Sequence, residues 1–424
     1  MKDFGPRPWE IEPYLKQGGY EALKSCATKW TRDEIIAEIK KAGMRGRGGA
    51  GFPTGIKWEK VLHHRVAEHY FVCNAGEHEP GTFKDRHLLK TNPHQLLEGM
   101  LIAAHTVKAK ASFAYVNHEY VEELANLRKA AEQARAHGFL GKNVLGTGVD
   151  LEIEFIEGQG SYVAGEETAM LESMQGRPAM PRQKPPFYPT DFGLYGKPTL
   201  VNNVETLCNI PPLLRNGAAW FKQVGTEKSP GTMLFSLSGA VNKPGVYELP
   251  MGTPIRTLIY ECGGGIPGGR KVKAVFPGGP SFAMLTADQL DTPMDFENLK
   301  QAGTGLGSAG VIVVDDQTCM VETALKYTNF FKVESCGQCP PCRMGTINLA
   351  AVLQKIEDGE GTEKDLAALL QLCGFVKGRG YCTVVTGAAV IGESTLRLFR
   401  REFEEHIAQK RCPFKPVAVA GGVA

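Results

Sequence analysis

Three cysteines placed three residues apart form the strongest chemical motif of this sequence. Cys336, Cys339 and Cys342 follow the pattern C-x2-C-x2-C. Three thiolates held this closely can bind one face of a cuboidal iron–sulfur cluster, and such a triplet is commonly completed by one remote cysteine. Structural zinc more often uses two separated C-x2-C pairs. The pattern therefore favours a 4Fe–4S cluster, with zinc or a purely structural role as the alternatives.

Three later cysteines are candidates for the fourth ligand: Cys373, Cys382 and Cys412. Cys382 is favoured because it lies in a loop-like segment between predicted helices, whereas Cys373 ends an apolar helix face and Cys412 lies near the C-terminus. Outside the four candidate ligands, the remaining cysteines are expected to be buried as small apolar side chains. They are Cys26, Cys73, Cys208, Cys262, Cys319, Cys373 and Cys412.

A glycine-dense loop over 45–55 is the second candidate site. Residues 46–51 match G-x-G-x-x-G, but the dinucleotide-binding fingerprint needs a strand before the loop, and here a helix is predicted. The glycines still allow the backbone to approach a phosphate or a flat ring, with Arg45, Arg47 and Lys57 supplying positive charge. A plain glycine turn is the alternative.

Two acidic loops follow predicted strands. Residues 74–81 contain Glu77 and Glu79, and the glycine-rich segment 158–165 is followed by Glu166 and Glu167. Open α/β sheets bind ligands at the carboxyl ends of their strands. We therefore expect one shared cleft, although acids at helix starts are also common for electrostatic reasons.

Alternating strands and helices over about 55–220 predict a doubly wound α/β unit that would position these loops. The predicted helices are 33–44, 58–63, 93–104, 121–137 and 167–174, and the predicted strands are 69–73, 111–116 and 149–154. Thr31 and Glu34 form a capping-box pattern at the start of the first helix.

Short β-type runs over 232–286 surround a predicted helix at 254–262 and indicate a small β-grasp module. Beyond residue 316 the pattern becomes helical, with helices expected at 318–332, 345–358, 363–373 and 394–409. The predicted organisation is an N-terminal helical and glycine-rich segment (1–54), a Rossmann-like domain (55–225), a β-grasp domain (226–316), a helical bundle with the cysteines (317–416) and a flexible tail (417–424).

Composition excludes several function classes. The chain has 424 residues, 50 of them glycine, and a net charge of +2, which argues against a nucleic-acid footprint. Its longest apolar runs are far shorter than a membrane helix requires. The first residues lack the apolar core of a secretory signal, so we expect a cytosolic protein with reduced thiols.

Six motifs in one collinear order make the chain resemble the NADH-binding flavoprotein subunits of respiratory complex I. They are RGRGGAGFPTGIKW (45–58), EPGTFKDR (79–86), GEET (165–168), KPPF (184–187), VNNVET (201–206) and ESCGQCPPCR (334–343). The resemblance extends over about 10–410. It implies a Rossmann-like FMN-binding domain, a β-grasp (ubiquitin-like, SLBB) domain and a C-terminal helical bundle carrying an iron–sulfur cluster.

The resemblance also implies three cofactors or substrates, namely FMN, NAD(H) and one 4Fe–4S cluster. Cys336, Cys339, Cys342 and Cys382 match the cluster ligands. Phe52 and Phe187 match the aromatic faces that hold the adenine, with Glu79 and Lys184 beside the nucleotide. The positions matching the FMN cleft are Gly46, Arg47, Gly48, Lys57, Asn74, Glu77, Glu79, Tyr162, Gly165, Glu166, Glu167, Val201, Asn202, Asn203 and Thr206.

The implied activity is NADH dehydrogenation within a proton-pumping NADH:quinone oxidoreductase. NADH would pass a hydride to FMN, and electrons would leave singly through the 4Fe–4S cluster. Glu79 and Glu167 are the acids placed at the catalytic site, and Glu167 is expected to disfavour the extra phosphate of NADPH. The expected partners are the thioredoxin-like 2Fe–2S subunit (E) and the iron–sulfur subunit (G), on the cytoplasmic face of the membrane.

Two alternatives remain open from the residues. One is the diaphorase subunit of an NAD-linked soluble hydrogenase or formate dehydrogenase, which shares this module. The other is a non-enzymatic scaffold in which the cluster is merely structural.

One departure from the family pattern concerns the flavin: Gly76 stands where an acid that contacts flavin is usual. A glycine there would also permit a positive φ. A second departure is Asn117-His118 before Glu119, where Arg-Gly is usual.

Overall fold

The computed structural model describes residues 4–415, so the predicted flexible tail at 417–424 lies outside the described residues. The first sheet has four strands, β1 (His69–Ala75), β2 (Ala109–Val116), β3 (Glu154–Glu157) and β4 (Thr199–Asn203), in the order β3-β2-β1-β4. All neighbouring pairs are parallel. Parallel sheets need helical crossovers and are covered on both faces, as the predicted doubly wound unit requires.

Alternate residues of β1 enter different cores, as the two-residue period of a strand dictates. Phe71 and Cys73 pack in the large core that also holds the N-terminal helices. Tyr70 and Val72 pack on the opposite face, in a smaller core. The helices of this part are Ile11–Leu15, Glu21–Thr28, Arg32–Lys41, Thr54–Leu62, Lys84–Thr91, Pro93–Thr106, Val121–Ala136, Glu167–Met174, Pro189–Phe192, Val204–Cys208, Ile210–Asn216 and Ala218–Phe221.

The second sheet confirms the β-grasp prediction. It comprises β5 (Thr232–Gly239), β6 (Gly245–Pro250), β7 (Val272–Phe276), β8 (Leu285–Thr286) and β9 (Gly310–Asp315), in the order β6-β5-β9-β7-β8. The central pair β5–β9 is parallel and the other pairs are antiparallel. The helix expected at 254–262 is a single turn, Ile255–Thr257, that continues as the wider π-turn Leu258–Cys262, and Phe296–Gln301 adds one further helix.

Five helices follow: Met320–Val333, Pro340–Glu357, Glu363–Val376, Val384–Leu398 and Arg400–Gln409. They share one core. Within residues 4–415, no helix is both long and apolar enough to cross a membrane.

Two sequence predictions of elements are wrong. The helix expected at 394–409 is two helices, Val384–Leu398 and Arg400–Gln409, separated at Phe399, whose φ of −126° and ψ of 33° are not helical. The strand expected at 149–154 is instead Glu154–Glu157. Leu151 and Ile153 produced the apolar pattern, but they are buried in an irregular segment before the strand.

Candidate functional site

The sheet order places a crevice at the carboxyl ends of β1 and β4. From β1 the chain proceeds through β2 to β3 on one side, whereas β4 pairs with β1 on the other side. Parallel sheets bind ligands where the strand order reverses in this way. Asn74 and Asn203 lie opposite each other at this edge. The fold therefore brings the loops after β1 and β4 together, although β4 was not among the predicted strands.

The side chain of Asn74, near the end of β1, holds the loops after β1 and β3 together. Asn74 donates through Nδ2 to the carbonyl of Gly165 at 2.9 Å, and its Oδ1 accepts from the N–H of Gly76 at 3.0 Å. A Cβ at Gly165 would lie 2.7 Å from the carbonyl oxygen of Gly76, which is too close for any other residue without a backbone shift. Gly76 itself does not have a positive φ, so the conformational freedom that glycine permits is not used there.

The glycine-dense loop lies against the end of β4. A Cβ at Gly48 would come within 2.9 Å of Asn203 Cβ, and the N–H of Arg47 donates to Thr206 Oγ1 at 2.8 Å. The N–H of Gly46 donates to the carbonyl of Phe52 at 2.9 Å, which closes the loop on itself. The loop thus forms a backbone surface beside the crevice, without the strand–loop–helix context of a dinucleotide fingerprint.

The two arginines of this loop face the β-grasp domain. Arg45 forms an ion pair with Glu297 and lies over the ring of Phe296 at 4.1 Å, so its charge is not free for a phosphate. The Arg47 guanidinium is fully buried and donates to the carbonyl of Pro230 at 2.9 Å. Burial lowers the pKa of Arg47 to about 10. Its Nε and Nη1 are buried and have no acceptor among residues 4–415.

Two lysines and two glutamates form a charged cluster in the crevice, which we call the cleft quartet: Lys57, Glu166, Glu167 and Lys184. Lys57 Nζ lies 3.0 Å from Glu167, and Lys184 Nζ lies 2.6 Å from Glu166 and 3.4 Å from Glu167. Burial works to raise the pKa of Glu167, but Lys57 and Lys184 outweigh it, and the pKa lies below its ordinary value. Glu166 also caps the helix Glu167–Met174 by accepting from the N–H groups of Thr168 and Ala169.

Glu77 is placed differently from the cleft quartet, because its carboxylate points into the protein. It accepts from the N–H groups of Asp85 and Arg86 at 3.0 and 3.1 Å, and from Tyr120 Oη at 3.0 Å. These contacts satisfy the open N–H groups at the start of the helix Lys84–Thr91. The side chain of Glu77 therefore holds the loop after β1 in place, and the backbone of that loop is what faces the crevice.

Glu79 and Tyr162 meet at the junction of all three domains. Tyr162 Oη donates to Glu79 at 2.6 Å, and Ser281 of the β-grasp domain donates to the same carboxylate through N–H (3.1 Å) and Oγ (3.0 Å). The Tyr162 ring packs edge-on against Phe330 of the bundle, at 5.2 Å between centroids. Burial raises the pKa of both Glu79 and Tyr162.

The motif after β4 is largely structural in its side chains. Val201 is buried in the sheet, and Asn202 Oδ1 accepts from the indole N–H of Trp58 at 2.8 Å. Asn203 caps the helix Val204–Cys208 and donates to Asp85 at 2.5 Å. These contacts fix the crevice wall against the helix Thr54–Leu62 that carries Lys57.

The two aromatic residues expected beside a nucleotide are both exposed, Phe52 at 52% and Phe187 at 44%. Phe187 borders an open groove of about 720 Å³ and packs edge-on against Phe192 at 5.7 Å between ring centroids. Large exposed aromatic faces next to a crevice are suited to stacking against a planar ring.

The four predicted cluster ligands converge on one small cavity. Cys336, Cys339, Cys342 and Cys382 line it together with apolar groups, including Pro181, Val384 and Val385. The N–H of Tyr381 donates to Cys339 Sγ at 3.3 Å. Four thiolates around an apolar cavity fit a 4Fe–4S cluster. Of the three candidates for the fourth ligand, Cys382 is the one that lines this cavity.

The other cysteines lie elsewhere. Cys373 is fully buried, and a Cβ at Gly392 would lie 3.1 Å from its sulfur. Of the cysteines expected to be buried, only Cys262 is partly exposed.

The crevice and the cysteine cavity are adjacent. Pro181 lines the cavity three residues before Lys184 of the cleft quartet, and Gln338 donates to the Pro181 carbonyl at 3.1 Å. The N–H of Tyr162 donates to Glu334, two residues before Cys336, at 2.8 Å. Burial raises the pKa of Cys382 to about 12, and Glu166 is among the charges near enough to raise it further.

Sequence reasoning missed residues that support the crevice. Lys84 is fully buried and pairs with Asp85 at 2.7 Å and Glu205 at 3.0 Å. All three lie within motifs that carried the resemblance, but nothing in the sequence distinguished them as a buried ion-pair group. Ser281, which reaches Glu79 from the β-grasp domain, had no sequence signal.

Comparison with known proteins agrees with this arrangement. Family models match the Nuo51 FMN-binding domain at residues 39–212, the SLBB domain at 234–285 and the NADH-ubiquinone oxidoreductase-F iron-sulfur binding region at 322–406. A solved NAD+-reducing [NiFe]-hydrogenase in the H2-reduced state is 34% identical, with a TM-score of 0.83, and the match covers 97% of this chain and 68% of the hydrogenase chain.

Curated relatives match over nearly their whole length. The F 2 subunit of the NADH-quinone oxidoreductase of Rhizobium meliloti is 47% identical over 95% of this chain and 96% of the relative. The F subunit of the Escherichia coli NADH-quinone oxidoreductase is 43% identical over 98% of this chain and 93% of the relative. Together with the crevice and the cysteine cavity, these matches establish that the chain belongs to the family of NADH-quinone oxidoreductase F subunits.

Proposed function

We propose that this chain is the NADH-oxidising flavoprotein subunit of a proton-pumping NADH:quinone oxidoreductase. The observation that carries the proposal is the contact between the crevice and the four-cysteine cavity through the segment that contains both Pro181 and Lys184. Bound FMN supplies hydride acceptance from NADH, and a 4Fe–4S cluster supplies one-electron transfer onward. The chain's own residues bind and orient these cofactors and the nucleotide, and they shield the reacting groups from water.

The crevice provides a site for a flat ring and its phosphate. Backbone at Gly46, Gly48 and Gly165 can approach a ligand closely, and Asn74 and Asn203 hold the strand ends on which these loops rest. Positive charge comes from Lys57, and the buried Arg47 adds a second charge behind the glycine-dense loop. The remaining residues of the proposed FMN site are Glu77, Glu79, Tyr162, Glu166, Glu167, Val201, Asn202 and Thr206.

The proposed NADH site lies beside the FMN site. Phe52 and Phe187 present exposed rings for the adenine, and Lys184 lies next to the charged part of the nucleotide. Glu167 and Glu79 lie beside the reacting nucleotide. Their role is to orient it, because hydride transfer requires no proton from them. Glu167 stays ionised between two lysines, so it disfavours the extra phosphate of NADPH.

As a member of complex I, the chain works with other subunits of that assembly. We propose that its direct partners are the thioredoxin-like 2Fe–2S subunit (E) and the iron–sulfur subunit (G), on the cytoplasmic face of the membrane. The cysteine cavity would pass electrons toward such a partner, since Cys336 and Cys382 are the less buried of its four ligands.

Anaerobic EPR spectroscopy with flavin analysis tests the proposal. The purified protein should contain FMN, which NADH should bleach, and a reduced-cluster signal should appear after NADH is added. NADH:ferricyanide activity separates this enzyme from a scaffold, which would have none. A protein whose flavin is not reduced by NADH would contradict the proposal.

A second candidate, the diaphorase subunit of a soluble hydrogenase, is supported by the 34% identity to the hydrogenase chain. The curated F subunits are more similar and match the chain over 90% or more of their length. Co-purification with quinone reductase subunits instead of a hydrogenase would decide between the two assemblies.

A further inference from the structure

A second cluster of metal-ligating side chains lies in the helical bundle, apart from the cysteine cavity. Cys319, Glu357, His406 and Cys412 each offer one donor atom, and these atoms lie within 4.8 Å of one another. All four residues are buried, with exposures of 6% or less. We propose that they form a structural zinc site, which we call the bundle site.

The distances between donor atoms match a tetrahedral zinc site. His406 Nε2 lies 3.4 Å from Cys319 Sγ and 3.3 Å from Glu357 Oε2, and the Cys319 sulfur lies 3.9 Å from Glu357 Oε2. Zinc bonds of about 2.3 Å to sulfur and about 2.0–2.2 Å to nitrogen or oxygen place tetrahedral ligand atoms about 3.3–3.8 Å apart. The donor atoms of Cys319, Glu357 and His406 therefore already lie close to tetrahedral separations, and Cys412 completes the group within 4.8 Å.

Contacts outside the four ligands orient them for metal binding. The Nδ1 of His406 lies 2.6 Å from the Glu402 carbonyl, so Nδ1 carries the proton and the Nε2 lone pair faces the cluster. The N–H of Glu322 donates to Cys319 Sγ at 3.4 Å, which orients the sulfur. Lys415 lies 2.9 Å from Glu357 Oε1, the oxygen that does not face His406.

The site would join parts of the bundle that are far apart in sequence. Cys319 precedes the helix Met320–Val333, Glu357 ends the helix Pro340–Glu357, His406 lies in Arg400–Gln409, and Cys412 follows that helix. Cys342, a ligand at the cysteine cavity, lies fifteen residues before Glu357 on one helix, about 22 Å away at the helical rise. Zinc here would stabilise the far end of the helix that carries the iron–sulfur ligands.

Metal analysis of the full-length chain, produced with zinc and iron in the medium, tests the proposal. We expect about one zinc per chain in addition to the cluster iron. Zinc X-ray absorption should show a mixed shell, with two sulfurs near about 2.3 Å and two nitrogen or oxygen atoms near about 2.0–2.2 Å. Absence of zinc, a shell of four sulfurs, or iron at the site would overturn the proposal.

Variants locate the zinc. Cys412→Ser and His406→Gln should each lower zinc content more than tenfold, while the iron content and the reduced-cluster EPR signal remain. Cys373→Ser is the matched control, because Cys373 is buried in the same bundle outside the site, and it should keep its zinc. If these variants do not fold, the absorption spectrum of the unmodified protein still decides. Zinc retained in Cys412→Ser, or a Cys319–Cys412 disulfide found by mass spectrometry in the protein as purified, would contradict the proposal.

Discussion

The cysteine cavity and the cleft quartet are neighbours, but they are built in opposite ways. The cavity takes its ligands from two short segments and surrounds them with apolar groups. Only a bound metal cluster therefore offsets the negative charge of its thiolates. The quartet takes two cations and two anions from three separate segments, and they already pair with one another. A ligand at the cavity meets no internal competitor, whereas a nucleotide at the crevice must compete with existing ion pairs. We therefore expect a substitution at the cavity to abolish cluster binding, and a substitution at the crevice to change nucleotide binding only in part.

The largest effect is expected from Cys382→Ala. It removes one of four thiolates from an apolar cavity that has no substitute donor of similar strength, so the cluster should be lost. Iron should fall from about four atoms per chain to less than about one, and the reduced-cluster EPR signal should disappear. NADH:ferricyanide activity should persist, because the crevice remains intact.

Cys373→Ala is the control for this change. Both cysteines followed the triplet as candidate ligands, but Cys373 is fully buried in the core of the bundle. It should lose about 1 kcal/mol of stability through the missing sulfur and keep its iron. Full iron content in Cys382→Ala would break the comparison, because the cavity would then not depend on its fourth thiolate.

A smaller effect, about tenfold, is expected from Glu167→Gln. The substitution leaves Lys57 and Lys184 with only Glu166 as an anionic partner, so the crevice gains one net positive charge. A charge-assisted contact is worth about 1.5 kcal/mol, or about tenfold in an equilibrium. The preference for NADH over NADPH, measured as the ratio of kcat/KM values, should fall by about this factor.

Glu59→Gln controls for the change in charge alone. Glu59 lies on the helix Thr54–Leu62 that carries Lys57, but it pairs with Lys40 at the surface, where both side chains are more than 40% exposed. Its cofactor preference should match that of the unmodified chain. An unchanged NADH preference in Glu167→Gln would show that the quartet does not select the nucleotide.

Tyr162→Phe tests the junction between the crevice and the bundle. It removes the donor at 2.6 Å from Glu79 and leaves the Ser281 contacts and the packing on Phe330. Loss of a hydrogen bond to this partly buried carboxylate should destabilise the fold by about 1.5–3 kcal/mol, seen as a lower denaturation midpoint. Tyr70→Phe, which removes a similar bond to the partly exposed Glu68 and lies far from the junction, should shift the midpoint less. Equal shifts of the two midpoints would indicate that the hydrogen bond at the junction stabilises the fold no more than the one between Tyr70 and Glu68.

The elements could be predicted where local signals were strong. The capping box at Thr31 and Glu34 is present, and the helix Glu167–Met174 has the predicted bounds. The break at Phe399 was missed because neither glycine nor proline lies there. Glu154–Glu157 was misplaced because it is a partly exposed edge strand, whereas the apolar residues before it are buried without being a strand.

The candidate sites also differ in how far their residues could be predicted from local sequence. Cys336, Cys339 and Cys342 are close in sequence, so their spacing alone indicated a cluster. Cys319 and His406 are 87 residues apart, and only the packing of the bundle brings them together. The cofactor positions at the crevice came from the resemblance, and the structure adds which side chains face inward, such as Glu77.

The smallest effect is expected from Gly76→Asp, which restores the acid usual in this family. The backbone there does not have a positive φ, so aspartate is not strained. Its Cβ would lie 3.2 Å from Asn74 Oδ1, which must move by a few tenths of an ångström. The gain of an acceptor beside the flavin, about 1 kcal/mol, should tighten FMN binding by less than about tenfold.

Gly165→Ala is the contrasting variant and should weaken FMN binding. Its Cβ would lie 2.7 Å from the carbonyl oxygen of Gly76 and would force the two loops apart. Dissociation constants for FMN from fluorescence titration distinguish the two variants. If the unmodified chain purifies without FMN where Gly76→Asp retains it, the missing acid controls flavin binding and the crevice depends on one contact as strongly as the cavity does.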